Sequence, residues 1–298
     1  MGFYKKILLL GKDGQVGWEL QRALAPLGIL TALNRAECDL ADASQLQAVL
    51  EQHEPEVIVN AAAYTAVDKA EEDRDNARRI NVDAVAELAL YAREMGSLLV
   101  HYSTDYVFDG TKPEAYVEDD ITNPLSVYGQ TKLAGENRIR DALCRHLIFR
   151  TSWVYAARGG NFAKTMLRLA QERTTLNVID DQIGAPTSAE LIADVTAHAM
   201  RDVLSGRAPG GTYHLAAAGE TSWYGYAKLV TDYARSQGVT LALPPGGLKP
   251  IPATEYPLPA KRPQNSRLNT HLLERSFALK LPCWEDGVRR VLNEWQSN

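Results

Sequence analysis

The sequence contains few cysteines, and they form no pattern that binds a metal or builds a disulfide framework. Cys38, Cys144 and Cys283 are odd in number and widely spaced, and none belongs to a Cys-x-x-Cys pair. The six histidines show no His-x-x-x-His or His-x-His spacing, so there is no zinc motif. These absences disfavour a disulfide-stabilised secreted protein. A reducing, cytoplasmic location fits the cysteine usage best.

Long hydrophobic runs and a surplus of basic residues are also missing. The apolar run nearest the N-terminus, Ile7 to Leu10, is far too short for a signal-peptide core. The 32 Lys and Arg residues are interspersed with 37 Asp and Glu residues, for a formal net charge of -5. We therefore expect no nucleic-acid partner and no membrane partner, and a phosphorylated ligand would need a local site.

What remains has the composition of an ordinary globular protein. Hydrophobic residues make up 45% and charged residues 23% of the 298 positions, which are typical values. The length is about twice that of a common domain of roughly 150 residues. Either one large α/β unit or two cooperating units is expected.

Short apolar runs alternate with helical patterns through the first half of the chain. The patterns predict strands at 7–10, 29–33, 57–59, 97–103 and 147–150, and helices at 16–27, 44–52, 73–95 and 126–143. Such alternation is typical of an α/β fold with a doubly wound parallel sheet of the Rossmann type. We predict that residues 1–150 form a domain that binds NADP(H).

The rhythm of the sequence changes after Arg150. Helices are predicted at 162–172, 188–204 and 222–237, a short strand at 176–179, and prolines concentrate between Leu243 and Pro263, where a backbone lacks donors. We predict that residues 151–298 form a smaller, mixed α/β domain for a nucleotide-sugar substrate. This division leaves room for later segments to return to the first domain.

Three glycines lie between the first predicted strand and helix. Gly11, Gly14 and Gly17 form a G-x-x-G-x-x-G turn. Glycine lets the backbone approach a pyrophosphate closely, and the free N–H groups of the helix N-terminus bind the anion. A tight turn that merely needs glycine is the alternative. Because strand, turn and helix follow in register, dinucleotide binding is favoured.

The end of the second strand bears on the choice of cofactor. An acidic residue there binds the ribose 2′-hydroxyl of NAD, whereas this chain has Asn34 and Arg35, which can accommodate a 2′-phosphate. The sequence therefore favours NADPH, although Asn34 could still bond a hydroxyl of NADH and Arg35 could be a plain loop arginine. Further on, Asp39 and Asp42 could reach the adenine amino group, or Asp42 could cap a helix.

A tyrosine and a lysine stand four residues apart on the fourth predicted helix. Tyr128 and Lys132 therefore share one helix face, and a nearby ammonium lowers a tyrosine pKa, which suits a proton donor. The Tyr-x-x-x-Lys spacing alone is common by chance. It gains weight from Thr104, at the carboxyl end of the fourth strand, where open α/β sheets bind ligands.

On these residues the chain resembles the extended short-chain dehydrogenase/reductases and, among them, the dTDP-4-dehydrorhamnose reductase family. The resemblance covers essentially the whole length and is carried by residues 11–20, 57–71 (VIVNAAAYTAVDKAE), 101–108 (HYSTDYVF), 128–136 (YGQTKLAGE), 147–155 (LIFRTSWVY), 161–169 (NFAKTMLRL), 181–187 (DQIGAPT) and 262–270 (RPQNSRLNT).

The resemblance implies which residues bind the cofactor. Gly14, Gln15 and Val16 would contact its pyrophosphate, and Asp39 and Leu40 its adenine. Its sugar and phosphate side would lie against Ala63, Tyr64 and Thr65.

The resemblance also implies the catalytic and substrate contacts. Thr104 and Asp105 would hold the sugar, Tyr128 would donate the proton, and Lys132 would bind the nicotinamide ribose and tune Tyr128. Trp153 matches a tryptophan that contacts substrate, although on physical grounds it is more readily a buried anchor between two lobes.

Two further implications concern metal and assembly. Members of the family are described with Mg²⁺ bound by glutamates at a dimer contact, and Glu190 and Glu294 fall at corresponding places. By their positions in the sequence both are simply acids on helix surfaces. A homodimer with bound Mg²⁺ is thus an expectation drawn from the resemblance.

The activity that the resemblance implies is NADPH-dependent reduction of the C4 ketone of dTDP-4-dehydro-L-rhamnose to dTDP-L-rhamnose. A 4,6-dehydratase would need an Asp-Glu pair after the threonine, whereas Thr104 and Asp105 are followed here by Tyr106. An epimerase is harder to exclude by residues. A regulatory subunit that binds NADP without catalysis is disfavoured because Thr104, Tyr128 and Lys132 are all present.

Overall fold

A six-stranded parallel sheet forms the centre of the computed structural model, which describes residues 5–296. Its strands are β1 (Lys5–Leu10), β2 (Gly28–Leu33), β3 (Val57–Asn60), β4 (Leu98–Thr104), β5 (His146–Thr151) and β10 (Gly211–His214). The strand order is β10-β5-β4-β3-β1-β2, and every neighbouring pair is parallel. Their carboxyl ends lie at one edge, the usual ligand-binding edge of such sheets.

Helices cover both faces of this sheet. In the first half of the chain they are α1 (Gln15–Leu24), α2 (Ala43–His53), α3 (Val67–Ala70), α4 (Arg74–Arg78), α5 (Ala84–Met95) and α6 (Val127–Ala142). Leu20 of α1 packs on one face together with Ile192. Leu46 of α2 and Leu88 of α5 pack on the other. Burial on both faces explains why the strands appear in the sequence as continuous apolar runs.

The second half of the chain contributes short strands and longer helices. These elements are β6 (Val154–Tyr155), α7 (Phe162–Glu172), β7 (Leu176–Ile179), β8 (Ile183–Gly184), β9 (Thr187–Ser188), α8 (Ala189–Leu204), β11 (Thr221–Ser222), α9 (Trp223–Ser236), β12 (Leu248–Ile251), α10 (His271–Phe277) and α11 (Trp284–Gln296). A separate apolar cluster around Tyr226 and Trp284 unites α7, α9 and α11. Within residues 5–296, no helix has the length and apolar character to cross a membrane.

The predicted α/β fold with a doubly wound parallel sheet is confirmed, with one strand more than expected. β10 comes from beyond Arg150 and pairs with β5. Helix α8, which also follows Arg150, packs against α1. Later segments therefore do return to the large sheet, while the division of the chain into two domains at Arg150 stays a prediction.

Two predicted helices differ from the structure in detail. The helix expected over 16–27 ends at Leu24 and continues as a 3₁₀ turn over Ala25–Leu27, because Pro26 lacks the N–H that an α-helix needs. The helix expected over 73–95 contains a π-helical segment at Arg79–Asp83. Such segments occur often at functional sites, and this one adjoins the cavity described below.

Candidate active site

A cavity of about 840 Å³ opens at the carboxyl edge of the sheet. It brings together nearly all the residues that the sequence singled out, namely Gly11, Gly14, Gln15, Val16, Asn34, Arg35, Asp39, Leu40, Ala63, Tyr64, Thr65, Thr104, Asp105, Tyr128, Lys132 and Trp153. Four candidates are not among its lining residues: Gly17, Asp42, Glu190 and Glu294.

Each glycine of the turn is required or accommodated for a different structural reason. Gly11 has φ +88, and a Cβ there would stand 2.8 Å from the backbone nitrogen of Ala62. A Cβ on Gly17 would stand 2.0 Å from the carbonyl oxygen of Gly11, so Gly17 allows α1 to pack against the turn. A Cβ on Gly14 would meet only that same oxygen, at 3.4 Å. Gly14 and the N-terminus of α1 therefore face open space, where a phosphate fits.

The loop after β2 presents a guanidinium at one end of the cavity. The side chain of Arg35 is 78% exposed, and its Nε lies 3.2 Å from Asp39 Oδ2. Asp39 also accepts a hydrogen bond from the backbone N–H of Ala41 at 2.9 Å. Asp42 instead accepts from the N–H groups of Ser44 and Gln45. For Asp42 the sequence allowed either a contact to adenine or a helix cap, and the structure supports the helix cap.

The loop after β3 is attached to helix α6 by a residue that the sequence analysis missed. Asn81 lies in the π-helical segment and is buried. Its Oδ1 accepts from Tyr64 N at 2.9 Å, and its Nδ2 donates to Tyr64 O and to Thr131 Oγ1, each at 3.1 Å. Asn81 thus holds the loop of Ala63, Tyr64 and Thr65 beside α6. Only the tertiary fold reveals this role.

Thr104, Asp105 and Tyr128 form a compact group. Thr104 Oγ1 donates to Asp105 Oδ1 at 3.0 Å and accepts from Tyr106 N at 3.1 Å. Burial and the charge of Asp105 raise the pKa of Tyr128 and the Thr104 hydroxyl lowers it, with a net pKa of about 12. Burial also raises the pKa of Asp105 to about 6, partly offset by the nearby hydroxyls of Ser266 and Thr104. The phenol is therefore protonated at neutral pH.

The expectation that the pKa of Tyr128 is lowered is wrong, because burial raises that pKa, and Lys132 has contacts of its own on strand β4. The lysine is 2% exposed, and its Nζ lies 2.6 Å from Tyr102 O and 3.2 Å from His101 Nε2. Burial lowers the pKa of Lys132 to about 8, while the charge of Glu136 raises it. Helical spacing predicted the shared face correctly, but it did not show that Lys132 turns toward strand β4.

Trp153 is neither fully buried nor alone. It has a left-handed backbone, with φ +48, which is unusual for a bulky residue and often marks a functional site. Its indole stacks on that of Trp223, with ring centroids 3.6 Å apart, and both side chains line the cavity. Trp223 was missed in the sequence analysis, because it starts α9 and meets Trp153 only in the fold.

Gly184 leaves room for this pair of tryptophans. A Cβ on Gly184 would stand 2.7 Å from Trp153 Cε2, and Trp223 blocks the other face. We expect Gly184→Ala to cost about 1–3 kcal/mol of unfolding free energy and to change the near-ultraviolet circular dichroism of the stacked indoles. Gly160→Ala, where a Cβ meets nothing within 4 Å, is the control. Equal stability of the two variants would contradict this account of the packing.

Polar atoms near the cavity have no partner within the protein. Asp105 Oδ2 and Thr151 Oγ1 are buried and make no hydrogen bond, and both residues line the cavity. Buried polar atoms are seldom left unpaired unless a ligand or water completes them. Thr151 was missed in the sequence, although it ends β5 directly opposite Thr104. The site is thus suited to a ligand rich in hydroxyl groups.

The two glutamates predicted to bind Mg²⁺ lie away from this cavity. Arg290 Nε stands 3.0 Å from Glu190 Oε2 and 3.7 Å from Glu294 Oε1, so a guanidinium occupies the space between the two carboxylates. Residues 5–296 contain no cluster of three or more His, Cys, Asp or Glu side chains that could hold a metal ion. The side chains of a single chain therefore do not fit Mg²⁺ here.

Comparisons with known proteins place these features in a family. The model of the RmlD substrate binding domain matches residues 5–297. The dTDP-4-dehydrorhamnose reductases of Escherichia coli strain K12 and Salmonella typhimurium strain LT2 are each 56% identical over 292 residues, 97% of either chain. The crystal structure of the Bacillus anthracis strain Ames dTDP-4-dehydrorhamnose reductase, in complex with NADP, has a TM-score of 0.88 and 34% identity, covering 98% of this chain and 100% of that one.

Proposed function

The chain belongs to the dTDP-4-dehydrorhamnose reductase family, and from that we propose that it reduces the C4 ketone of dTDP-4-dehydro-L-rhamnose to dTDP-L-rhamnose with NADPH. The protein is thus an oxidoreductase, and this reduction is the final step in the synthesis of dTDP-L-rhamnose. The observation that carries the proposal is the meeting of a protonated Tyr128 with Thr104 and Asp105 in the cavity that the glycine turn also lines.

The residues at the other end of this cavity suit NADPH. Open space at Gly14 and the free N–H groups that begin α1 would hold the pyrophosphate. The exposed guanidinium of Arg35 would face the 2′-phosphate. Asn81 keeps the loop of Ala63, Tyr64 and Thr65 in position against the cofactor. Bound NADPH supplies the hydride that reduces the ketone carbon.

The protein supplies the proton and the orientation. Tyr128 donates its phenolic proton to the oxygen at C4 as that oxygen gains negative charge, and the resulting phenolate is reprotonated from solvent. The Thr104 hydroxyl, at the edge of the sheet, is placed to hold the same oxygen. Ionised Asp105 raises the pKa of Tyr128 and so keeps the phenol in its proton-donating form. Trp153 and Trp223 wall the sugar side and exclude water.

The proposal is tested by following NADPH absorbance with purified protein. We expect oxidation of NADPH only when dTDP-4-dehydro-L-rhamnose is added, with dTDP-L-rhamnose as the product. Binding of NADPH without turnover would overturn the proposal and favour a regulatory role. Stoichiometric consumption of added NADPH also separates a reductase from an epimerase, which has no net consumption of cofactor.

A second measurement tests the cofactor preference that rests on Arg35. We expect kcat/KM to be higher with NADPH than with NADH, and we expect Arg35→Ala to lower the NADPH value about tenfold, since a hydrogen bond to a charged group contributes about 1.5–3 kcal/mol. The NADH value should change little. Arg168→Ala, which removes an exposed guanidinium on α7, is the control. A wild-type preference for NADH would refute the role of Arg35.

Four implications of the sequence stay predictions. They are the homodimer, Mg²⁺ at its contact, the cytoplasmic location and the division into a cofactor domain and a sugar domain at Arg150. All three cysteines are free thiols, in keeping with a reducing compartment. A metal at Glu190 and Glu294 would require Arg290 to move or a second chain to add ligands.

A further inference from the structure

Two buried polar residues behind Lys132 are unused by the mechanism above. Asn60 ends β3 and His101 lies on β4, and both are 1% exposed. Asn60 Nδ2 is 3.3 Å from His101 Nδ1, and His101 Nε2 is 3.2 Å from Lys132 Nζ. The three side chains therefore form one continuous chain of contacts from the end of β3 to helix α6.

The direction of this chain is determined at its first link. The backbone N–H of Ala62 can only donate, and the Asn60 atom that lies 3.2 Å from it is Oδ1. The amide NH₂ of Asn60 must then face His101 Nδ1, which has to accept. Burial holds the pKa of His101 well below its ordinary value, so the ring is neutral and carries a single proton. That proton must be on Nε2.

An Nε2–H group requires an acceptor at Lys132. An ammonium has three donors and no acceptor, whereas a neutral amine has a lone pair. Tyr102 O, 2.6 Å from Lys132 Nζ, accepts one N–H in either state. With the chain running from Ala62, Lys132 is satisfied only as the amine. To become an ammonium it must reverse the proton on His101, which leaves two N–H groups facing each other between His101 and Asn60.

We propose that Asn60 and His101 form a directed hydrogen-bond chain, anchored on Ala62 N–H, that makes His101 a positioning residue controlling whether Lys132 is an amine or an ammonium. This inference rests on the proposed reductase function. When Tyr128 releases its proton, an ammonium at Lys132 stabilises the phenolate and an amine does not. The chain thereby ties the charge of Lys132 to the loop that lines the cofactor end of the cavity.

Other charged groups near Lys132 act on the same equilibrium. Glu136, on the same helix face, favours the ammonium, but its carboxylate is neutralised by Arg150 and Arg140. Burial opposes the ammonium, and Lys132 titrates with a pKa of about 8. Because Tyr128 keeps its proton up to a pKa of about 12, we assign an alkaline fall in the reduction rate near pH 8 to Lys132.

The direct test is the tautomer of His101, measured by ¹H–¹⁵N NMR on the full chain labelled in histidine. His101→Gln, which removes one imidazole signal, assigns the resonance. We expect the Nε2–H tautomer in the wild-type protein at about pH 9, above the pKa of about 8 at which Lys132 becomes the amine. An Nδ1–H tautomer at that pH would overturn the proposal, and this measurement needs no substrate, so it is independent of whether the reductase activity itself is found.

Asn60→Asp tests the direction of the chain. A carboxylate accepts both from Ala62 N–H and from His101 Nδ1–H, so the variant should hold the Nδ1–H tautomer and favour the ammonium of Lys132. The alkaline limb of kcat should then move up by about one pH unit or more. Asn177→Asp, on the exposed side of β7, adds the same charge and should change neither the tautomer of His101 nor the alkaline limb of kcat. An unchanged tautomer or an unchanged limb in Asn60→Asp would contradict the proposal. The wild-type tautomer remains decisive if the variant fails to fold.

Discussion

Tyr128→Phe is expected to bind NADPH as tightly as the wild-type protein and to lose about 10²–10⁴-fold in kcat, the usual contribution of a positioned general acid. The substitution removes one hydroxyl and keeps the ring, which packs edge-on against Tyr106 with centroids 5.7 Å apart. The loss should fall on kcat, because the phenolic proton is needed only when charge develops on the substrate oxygen.

The control for this variant is Tyr91→Phe. Tyr91 lies on α5 and donates to Leu50 O at 3.2 Å, so its substitution also removes one hydroxyl and one hydrogen bond, but outside the cavity. Cofactor affinity is measured by fluorescence titration and turnover by NADPH absorbance. Wild-type turnover in Tyr128→Phe would remove Tyr128 from the mechanism, and a parallel loss of cofactor affinity would make its role structural.

The parts of this site that follow from sequence are those carried by local pattern. A continuous apolar run followed by glycines predicts β1, the turn and α1, and a hydroxyl at the end of a buried strand predicts Thr104 at the binding edge. Each depends on residues within a few positions of one another. The same logic located Tyr128 and Lys132 on one face of α6.

The parts that could not be predicted depend on contacts between distant segments. Trp223 stacks on Trp153 although the two residues are far apart in the sequence. Asn81 binds Tyr64 from a π-helical segment that no hydrophobic periodicity indicates. The short strand β10 contains no apolar run from which it could be predicted. The pKa of Tyr128 was predicted in the wrong direction because helical spacing does not reveal how deeply a side chain is buried, and both burial and the charge of Asp105 raise this pKa.

A buried ion pair behind α6 should dominate the stability of this region. Glu136 is 0% and Arg150 3% exposed, with Arg150 Nη2 2.8 Å from Glu136 Oε2 and Nε 3.0 Å from Oε1. Arg150 Nη1 also donates to Glu118 O at 3.1 Å, which fastens the loop that follows β4. The guanidinium thus joins strand, helix and loop with a single side chain.

We expect Glu136→Gln to lower the free energy of unfolding by about 3–5 kcal/mol, because it leaves the charge of Arg150 buried without a counterion. Chemical denaturation at pH 7 measures this. The pKa of Glu136 is held below its ordinary value by Arg150, so the carboxylate contributes its stability above the unfolded pKa and loses it as the pH falls through the folded pKa. The difference between wild type and variant should therefore shrink toward acid pH.

The double variant Glu136→Met/Arg150→Met separates the cost of an unpaired charge from the value of the pair. Replacement of both charges by apolar side chains of similar length is often neutral or stabilising by about 1–4 kcal/mol, so it should recover most of the stability that Glu136→Gln loses. A loss in the double variant as large as in the single one would show that the hydrogen bond to Glu118 O and the loop it fastens carry the stability. A loss below about 1 kcal/mol in Glu136→Gln would mean that water reaches Arg150, contrary to the burial on which the argument depends.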